Sequence, residues 1–342
     1  MKTVFRRFVL GFAVAAIAAL STGCDQKPAE SSKPAAAPKP AAGAGAAGEA
    51  HKKIKLGFSQ IGAESDWRRA NTESIKAEAA ARGIELVFSD AQQKQENQIK
   101  ALRSFVAQGV DVIALSPVVE TGWEPVLKEI KQAGIPVVLT DRVVQVSSPD
   151  LYVTFIGADF VEEGRRAAAW LGKATGGKAV VAELQGTPGS APAIDRKKGF
   201  EEGIKAFPEI KVIKSQSGEF TRAKGREVME TFLKSPEGKQ ITAVYAHNDD
   251  MALGAIQAIE EAGLKPGVDI RVVSIDGVKA AFEAMVAGKL NCTVECSPLL
   301  GPKLCDVVEA LVAKKPVEKR IVTEAGVFDQ STAARDITSR KY

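Results

Sequence analysis

The feature that most constrains this chain is the alternation of short apolar runs with longer amphipathic stretches. Apolar runs occur near 54–59, 84–88, 110–115 and 136–140, and a stretch with helical spacing follows each of the first three. After Gly157 the alternation begins again, with runs near 179–184, 212–215, 243–246 and 272–275. Strands that alternate with helices predict a parallel sheet covered by helices on both faces. The repetition therefore predicts an α/β chain with two similar lobes, each a doubly wound parallel sheet.

Polar and aromatic side chains follow several of the predicted strands. The carboxyl ends of parallel strands form the edge where ligands bind, so a cleft between two such lobes is the expected site. An indole face, guanidinium groups and carboxylates suit a sugar, whose C–H face packs on an aromatic ring while its hydroxyls take directed hydrogen bonds. The candidate residues lie at strand ends or at the helix starts beyond them: Glu64, Trp67, Arg68, Asp141, Arg142, Arg196, Asn248 and Asp276.

Each candidate also has a purely structural explanation when it is taken alone. Trp67 is compatible with a core position at a helix start, with the next arginine in solvent. Asp141 and Arg142 are compatible with a surface ion pair, Asn248 with a helix cap, and Asp276 with a turn. Taken singly, the candidates do not decide between the structural and the functional interpretation, and their order along the chain does so only through a resemblance to a known family.

Several longer sequence segments resemble those of one protein family. The chain resembles the ribose- and galactose-binding family of periplasmic proteins over residues 53–342, and within it the galactofuranose-binding proteins of bacterial ABC importers. The resemblance implies a two-lobed type I fold with the ligand in the interlobe cleft. The segments that carry it lie at 57–60, 64–68, 92–98, 121–127, 193–200 and 245–251.

The same resemblance implies a role for each candidate. Glu64, Trp67 and Arg68 would shape a furanose site, and Glu295, near the last crossing between the lobes, would add a polar contact. The residues expected to hydrogen-bond the sugar are Asp141, Arg142, Arg196, Asn248 and Asp276.

The resemblance also implies a mechanism and a domain arrangement. An extracytoplasmic monomer would close on one monosaccharide, with galactofuranose the leading candidate, and present it to the permease and ATPase of an ABC importer. The first lobe is expected to comprise residues 52–157 plus 297–324, and the second 158–296 plus 325–342. Hinges are expected near 156–158, 295–297 and 322–324. A receptor that reports to a chemoreceptor or sensor kinase is the alternative.

The N-terminus is typical of an exported protein. A basic start precedes an apolar run of 13 residues, Phe8–Leu20, which is too short to span a hydrocarbon core of about 30 Å as a helix. Residues 1–23 are therefore predicted to be a signal peptide. Small residues before Cys24 resemble a lipoprotein signal, and the Ala-, Pro- and Lys-rich segment 24–51 suits a lipid-anchored tether. Because Ser21 stands where such signals usually carry leucine, cleavage to a free periplasmic protein is the alternative.

Charge and motifs argue against two other functions. Without Lys2, Arg6 and Arg7, 43 of the 46 basic residues remain against 42 acidic ones, which gives no reason to expect nucleic-acid binding. Hydrolase and phosphate-loop motifs are absent, and no cofactor or metal is expected. Arg142 and Arg196 are expected to keep neighbouring carboxylates ionised, which would deprive a glycosidase of its acid. The chain is therefore predicted not to be an enzyme.

Three further cysteines, Cys292, Cys296 and Cys305, allow at most one disulfide. On one strand, the first two would lie about 13 Å apart and could not bond each other. A bridge from Cys305 to either of them and three buried free thiols both remain open.

Overall fold

Two six-stranded sheets form the core of the computed structural model, which describes residues 53–342. The strands are β1 (Lys55–Gln60), β2 (Glu85–Asp90), β3 (Val112–Leu115), β4 (Val137–Thr140), β5 (Thr154–Gly157), β6 (Lys178–Gln185), β7 (Glu209–Ser217), β8 (Ala243–Ala246), β9 (Arg271–Asp276), β10 (Cys292–Glu295), β11 (Arg320–Val322) and β12 (Val327–Asp329). The helices are α1 (Asp66–Ala81), α2 (Gln95–Ala107), α3 (Glu124–Gln132), α4 (Phe160–Ala174), α5 (Ala191–Gly203), α6 (Arg222–Lys234), α7 (Asp249–Glu261), α8 (Lys279–Val286), α9 (Gly301–Val312) and α10 (Ala333–Asp336). The predicted alternation of strands and helices is confirmed.

The two sheets repeat one topology. The first has the strand order β11-β5-β4-β3-β1-β2, and the second has β12-β10-β9-β8-β6-β7. All pairings are parallel except that of β10 with β12. In each sheet the strand order reverses beside the first strand, between β1 and β3 and between β6 and β8. Such switch points open a crevice at the carboxyl edge of a sheet.

Helices cover both faces of the first sheet. On β3, Val112 and Ala114 belong to one apolar cluster while Ile113 and Leu115 belong to another, as the twofold period of a strand requires. Ile75 of α1 and Leu304 of α9 pack in the first cluster, and residues of α2 and α3 pack in the second. We call the first sheet with these four helices the first lobe, and the second sheet with the other helices the second lobe.

The chain passes between the lobes three times. It crosses after β5, between β10 and α9, and between β11 and β12. These passages overlap the connections expected to act as hinges, since the three segments lie at 158–159, 296–300 and 323–326. Their movement and the lobe boundaries given above stay predictions.

The expected signal peptide, tether and lipid-modified Cys24 lie outside the described residues. Within residues 53–342, no helix is both long enough and apolar enough to cross a membrane. Cys292, Cys296 and Cys305 are all free and buried. Cys305 belongs to a first-lobe core cluster and the other two to the second-lobe cluster, so the structure agrees with the expectation of buried thiols rather than a bridge.

Candidate functional site

Helix starts position most of the candidate residues. Ser65 caps α1, because its hydroxyl accepts a hydrogen bond from the Arg68 backbone N–H at 3.1 Å, and this fixes Trp67 and Arg68 in the first turn. Asn248 caps α7 through Met251 N–H and donates its amide to the Phe220 carbonyl at 3.1 Å. The capping explanation for Asn248 is therefore confirmed, but capping does not remove this residue from the cleft.

These helix starts surround one pocket between the lobes. It is lined by eight of the nine residues expected to contact the sugar, together with four residues that the sequence did not assign to the site. Its lining residues are Glu64, Ser65, Trp67, Arg68, Asp141, Arg142, Pro192, Arg196, Phe220, Asn248, Asp276 and Cys296.

Glu295 is the expected residue that the structure places elsewhere. Its carboxylate accepts hydrogen bonds from Arg340 at 2.8 Å and from the Gly326 backbone N–H at 3.1 Å. Neighbouring residues of an extended strand point to opposite sides, so the next residue, Cys296, lines the pocket instead.

In the first lobe, Arg68 joins two carboxylates. Its Nη2 lies 2.7 Å from Asp141 Oδ2, and its Nε donates to Glu64 Oε1 at 3.2 Å. Burial alone would lower the pKa of Arg68, but attraction to Asp141 and Glu64 outweighs burial and raises this pKa. Arg68 and Asp141 are both buried, so neither a solvated arginine nor a surface ion pair describes them.

Arg142 is held less completely. Its Nη1 donates to the Val118 carbonyl at 3.1 Å, and its guanidinium carbon lies 5.3 Å from the centre of the Phe220 ring in the opposite lobe. Burial, followed by repulsion from Arg68 and Arg196, lowers the pKa of Arg142 to about 10, so the group is charged at neutral pH.

In the second lobe, Arg196 is fixed from three sides. Its Nε donates to Glu163 at 2.9 Å, its Nη1 donates to the His247 carbonyl at 2.6 Å, and its Nη2 lies 3.5 Å from Asp276 Oδ1. Glu163 is a buried residue of α4 that sequence reasoning missed, because nothing in its local sequence distinguishes it from other helical glutamates.

Burial opposes one sequence-based expectation about charge. Arg196 is expected to keep neighbouring carboxylates ionised, yet burial raises the pKa of Asp276 well above its ordinary value and Arg196 offsets this only in part. Burial likewise raises the pKa of Glu163 despite its contact with Arg196. Desolvation outweighs the ion pairs here because these groups are almost fully enclosed. The sequence-based argument against a general acid is therefore weaker at Asp276 than at an exposed carboxylate.

Some polar atoms of the pocket have no hydrogen-bond partner. Among the buried side-chain atoms of residues 53–342, Glu64 Oε2 and Arg142 Nε make no hydrogen bond, although Arg142 Nε lies 3.6 Å from Asp141 Oδ2. Arg196 lies too far from Asp276 for a strong hydrogen bond. Leaving such groups unpaired costs about 1–3 kcal/mol each. Their convergence on one pocket leaves hydrogen-bonding groups available to a polar ligand.

Aromatic rings complete the pocket. The Trp67 indole N–H donates to the Cys296 carbonyl at 2.5 Å, and the ring packs in the apolar cluster of the second lobe although α1 belongs to the first. Phe220 enters from a short polar segment after β7, and its isolation there is the signal that would have marked it. Within the described residues no group of His, Cys, Asp and Glu has the arrangement of a metal site.

Comparison with known families agrees with this architecture, because residues 56–316 match a periplasmic binding protein domain. The chain belongs to the periplasmic binding protein family. This periplasmic binding protein is 53% identical to the galactofuranose-binding protein YtfQ of Escherichia coli strain K12 over 291 residues, which cover 84% of this chain and 92% of that one.

Two solved structures resemble this periplasmic binding protein equally well. The binding-protein component of the arabinose ABC transporter from Shewanella sp. ANA-3, bound to α- and β-L-arabinofuranose, is 55% identical, with a TM-score of 0.82 and coverage of 84% of this chain and 96% of that one. A Mycobacterium smegmatis protein in complex with β-D-fucofuranose is 54% identical, with a TM-score of 0.82 and coverage of 84% and 95%. All three relatives are named for, or are bound to, a furanose sugar.

Proposed function

We propose that this chain is the extracytoplasmic substrate-binding protein of a sugar ABC importer and that it binds one monosaccharide in its furanose form, with galactofuranose the leading candidate. The convergence of unpaired polar groups on the interlobe pocket carries this proposal. Carboxylates, guanidinium groups and an amide from both lobes offer donors and acceptors to adjacent hydroxyls, while Trp67 and Phe220 supply apolar surfaces for C–H groups.

The lining of the pocket supports a small polar ligand. Charged and amide side chains from both lobes converge on it beside two aromatic rings, which suits one sugar ring. Glu64, Trp67 and Arg68 all come from the start of α1, so this helix is the element we expect to discriminate the furanose from other ring forms.

Binding in this pocket is proposed to occur without chemistry. Although burial gives Asp276 a raised pKa, the three relatives are a binding protein, a transporter component and a sugar complex, and the name of none of them describes a reaction. The role is closure around the sugar, which lets an importer distinguish the loaded protein from the empty one. A transporter component among the relatives favours import over a receptor role.

The remaining features of the proposal concern location. The protein would act as a monomer in the periplasm, tethered through a lipid on Cys24, with a permease and ATPase as partners. The support for the tether is the small-residue signal before Cys24 and the low-complexity segment beyond it. Mass spectrometry of the mature protein would test it, since an acylated Cys24 and an unmodified free N-terminus differ by the mass of the lipid.

Calorimetric titration tests the ligand. The chain from His51, without the expected signal peptide and tether, is titrated with galactose, arabinose, ribose, glucose and a galactofuranoside. We expect tight binding of one sugar with a stoichiometry of one, and recovery of the sugar unchanged by NMR. If none of these sugars binds, the sugar assignment is overturned. If NMR detects a new product, the non-enzymatic role is overturned.

A matched pair of variants ties binding to the pocket. Arg142→Gln removes a buried guanidinium whose Nε has no hydrogen-bond partner, so it should weaken sugar binding while the protein stays folded. Arg103→Gln removes an exposed arginine that pairs with Glu129 in the same lobe, and it should bind like the parent. Equal affinities for the two variants would contradict the assignment of the pocket.

A further inference from the structure

Two carboxylates from opposite lobes face each other at the rim of the cleft. Asp66 opens α1 in the first lobe, and Asp250 lies in the first turn of α7 in the second. The backbone N–H of Asp66 donates to Asp250 Oδ2 at 2.8 Å. An aspartate of the second lobe therefore accepts a hydrogen bond from an N–H group that α1 of the first lobe leaves without an intrahelical partner. Neither residue lines the sugar pocket.

Arg222, the first residue of α6, lies between these carboxylates. Its Nη2 donates to Asp66 Oδ2 at 3.2 Å and to Asp250 Oδ1 at 3.1 Å. Asp66 also pairs with Arg69 of its own lobe, which leaves Arg222 as the cation that the second lobe contributes to this group. Without Arg222, closing the cleft would bring two carboxylates together and attraction across the rim would become repulsion.

We propose that Arg222 is a positioning residue for sugar binding, because it holds the lobes closed by bridging Asp66 and Asp250. The proposal rests on the proposed function, since its effect is measured through sugar affinity. The bridge forms only when the two lobes meet, so it stabilises the closed state and leaves the open state unchanged. A contact of that kind increases ligand affinity by adding to the differential stability of the two states.

The contacts of Asp250 also set the direction of its pKa. Burial raises the pKa of Asp250, the hydrogen bond from the Asp66 backbone opposes burial, the charge of Asp66 raises the pKa again, and Arg222 lowers it. The side chain of Asp250 is 6% exposed, whereas that of Arg222 is 49% exposed. Arg222 can therefore be replaced without opening a cavity, which makes it the residue to change.

The test compares two arginines on one helix. Arg222→Gln removes the bridge, and Arg226→Gln removes an exposed arginine one turn later that pairs with Glu261 inside the second lobe. We expect Arg222→Gln to raise the Kd of the cognate sugar about three- to tenfold and to increase its dissociation rate, and Arg226→Gln to bind like the parent. The thermal midpoint of both variants without sugar should equal that of the parent.

Two further readouts separate a bridge from a general effect on structure. Salt should weaken the parent and strengthen Arg222→Gln, because it screens attraction in one and repulsion in the other, so their Kd values should converge between 0.05 and about 0.5 M NaCl. Adding Asp66→Asn to Arg222→Gln should recover most of the lost affinity, since one of the facing carboxylates is then neutral.

The outcomes distinguish the two proposals. If the parent binds its sugar and Arg222→Gln matches Arg226→Gln in affinity and salt dependence, the bridge is wrong and the binding function stands. If Arg222→Gln lowers the thermal midpoint without sugar and Asp66→Asn recovers no affinity, the arginine is structural and the bridge is likewise overturned. If the parent binds no sugar, the proposed function fails and this inference fails with it.

Discussion

Asp141 and Asp276 occupy equivalent positions in the two lobes, at the carboxyl ends of β4 and β9, and both have a positive φ, 64° and 130°. Aspartate tolerates the left-handed helical region around 64° better than most residues, whereas a φ of 130° lies outside that region, and both values are costly for a side chain with a Cβ. The two strained residues also carry the carboxylates that face the pocket from each lobe. Each lobe therefore contributes one residue with a strained backbone to the pocket.

Replacing Asp141 by asparagine tests the charge at this position without changing its backbone. Asparagine tolerates a positive φ, so Asp141→Asn should fold normally. It removes the carboxylate beside Arg68, and we expect the Kd of the sugar to rise at least about tenfold, as loss of a charged hydrogen-bond partner implies. Calorimetry measures the change. Asp150→Asn, which alters an exposed aspartate paired with Lys131, serves as the control and should change nothing.

Trp67 should report closure of the cleft by its fluorescence. Its indole belongs to the first lobe but packs against the core of the second, a contact that opening of the lobes would break. Addition of sugar should therefore shift the emission of the parent, and Trp67→Phe should lose most of that shift. Trp123→Phe, within a first-lobe core, should retain it. An unchanged shift in Trp67→Phe would mean that this ring does not change its surroundings on binding.

Gly164 links the packing of α4 to the position of Arg196. A Cβ at Gly164 would lie 2.3 Å from the Arg196 carbonyl oxygen, which is backbone and cannot move aside as a side chain does. Gly164→Ala should therefore push α5 away, destabilise the protein by about 1–3 kcal/mol and weaken sugar binding. Denaturant unfolding and calorimetry measure the two effects. Ala174→Ser, at an exposed position of the same helix, should leave both unchanged, and a fully stable Gly164→Ala would show that the helices separate freely.

Asp249 should make stability depend on pH. It accepts hydrogen bonds from Thr293 and from the backbone of Gly277 and Val278, yet burial raises its pKa to about 6. Because the unfolded value is about 3.9, the folded state binds the extra proton, and its stabilising effect is complete below about pH 4 and lost as the pH rises to about 6. The free energy of unfolding should fall by about 3 kcal/mol over that window from this group.

Urea unfolding at pH 4, 5, 6 and 7 measures this dependence. Asp249→Asn cannot titrate, so its free energy of unfolding should fall less between pH 4 and 6 than that of the parent. Asp276, whose pKa is also raised, contributes in the same direction in both proteins. Asp306→Asn, at an exposed position, should follow the parent. Parallel curves for the parent and Asp249→Asn would contradict the raised pKa.

The sequence predicted the two parallel sheets and most of the residues that line the pocket for the same physical reason. Parallel strands bring their carboxyl ends to one edge, so residues such as Arg68 and Asp141 could be grouped from their positions after strands. The sequence placed Glu295 in the pocket, whereas Cys296 lines it. Which of the two residues faces the pocket depends on which side chains of β10 point to that side, and a four-residue strand does not specify this. Phe220 comes from a loop without periodicity.

The burial of the site between the two lobes was the other property that the sequence could not predict. The raised pKa of Asp276 depends on how completely both lobes exclude water, and the bridge at Arg222 depends on how the lobes meet. Both depend on how the two lobes meet rather than on any one segment, so local patterns carry no signal for them.

The three passages between the lobes have a consequence for how the protein is made. The apolar cluster around Leu56 and Ile75 is completed by Leu304 and Val308 of α9, and β11 forms an edge of the first sheet, so the first lobe needs residues from near the end of the chain. Because synthesis starts at the N-terminus, nearly the whole second lobe has to be synthesised before α9 and β11 can cover the first lobe. Until then, one apolar face of the first sheet is exposed. The early half would need protection from aggregation until residue 322 arrives.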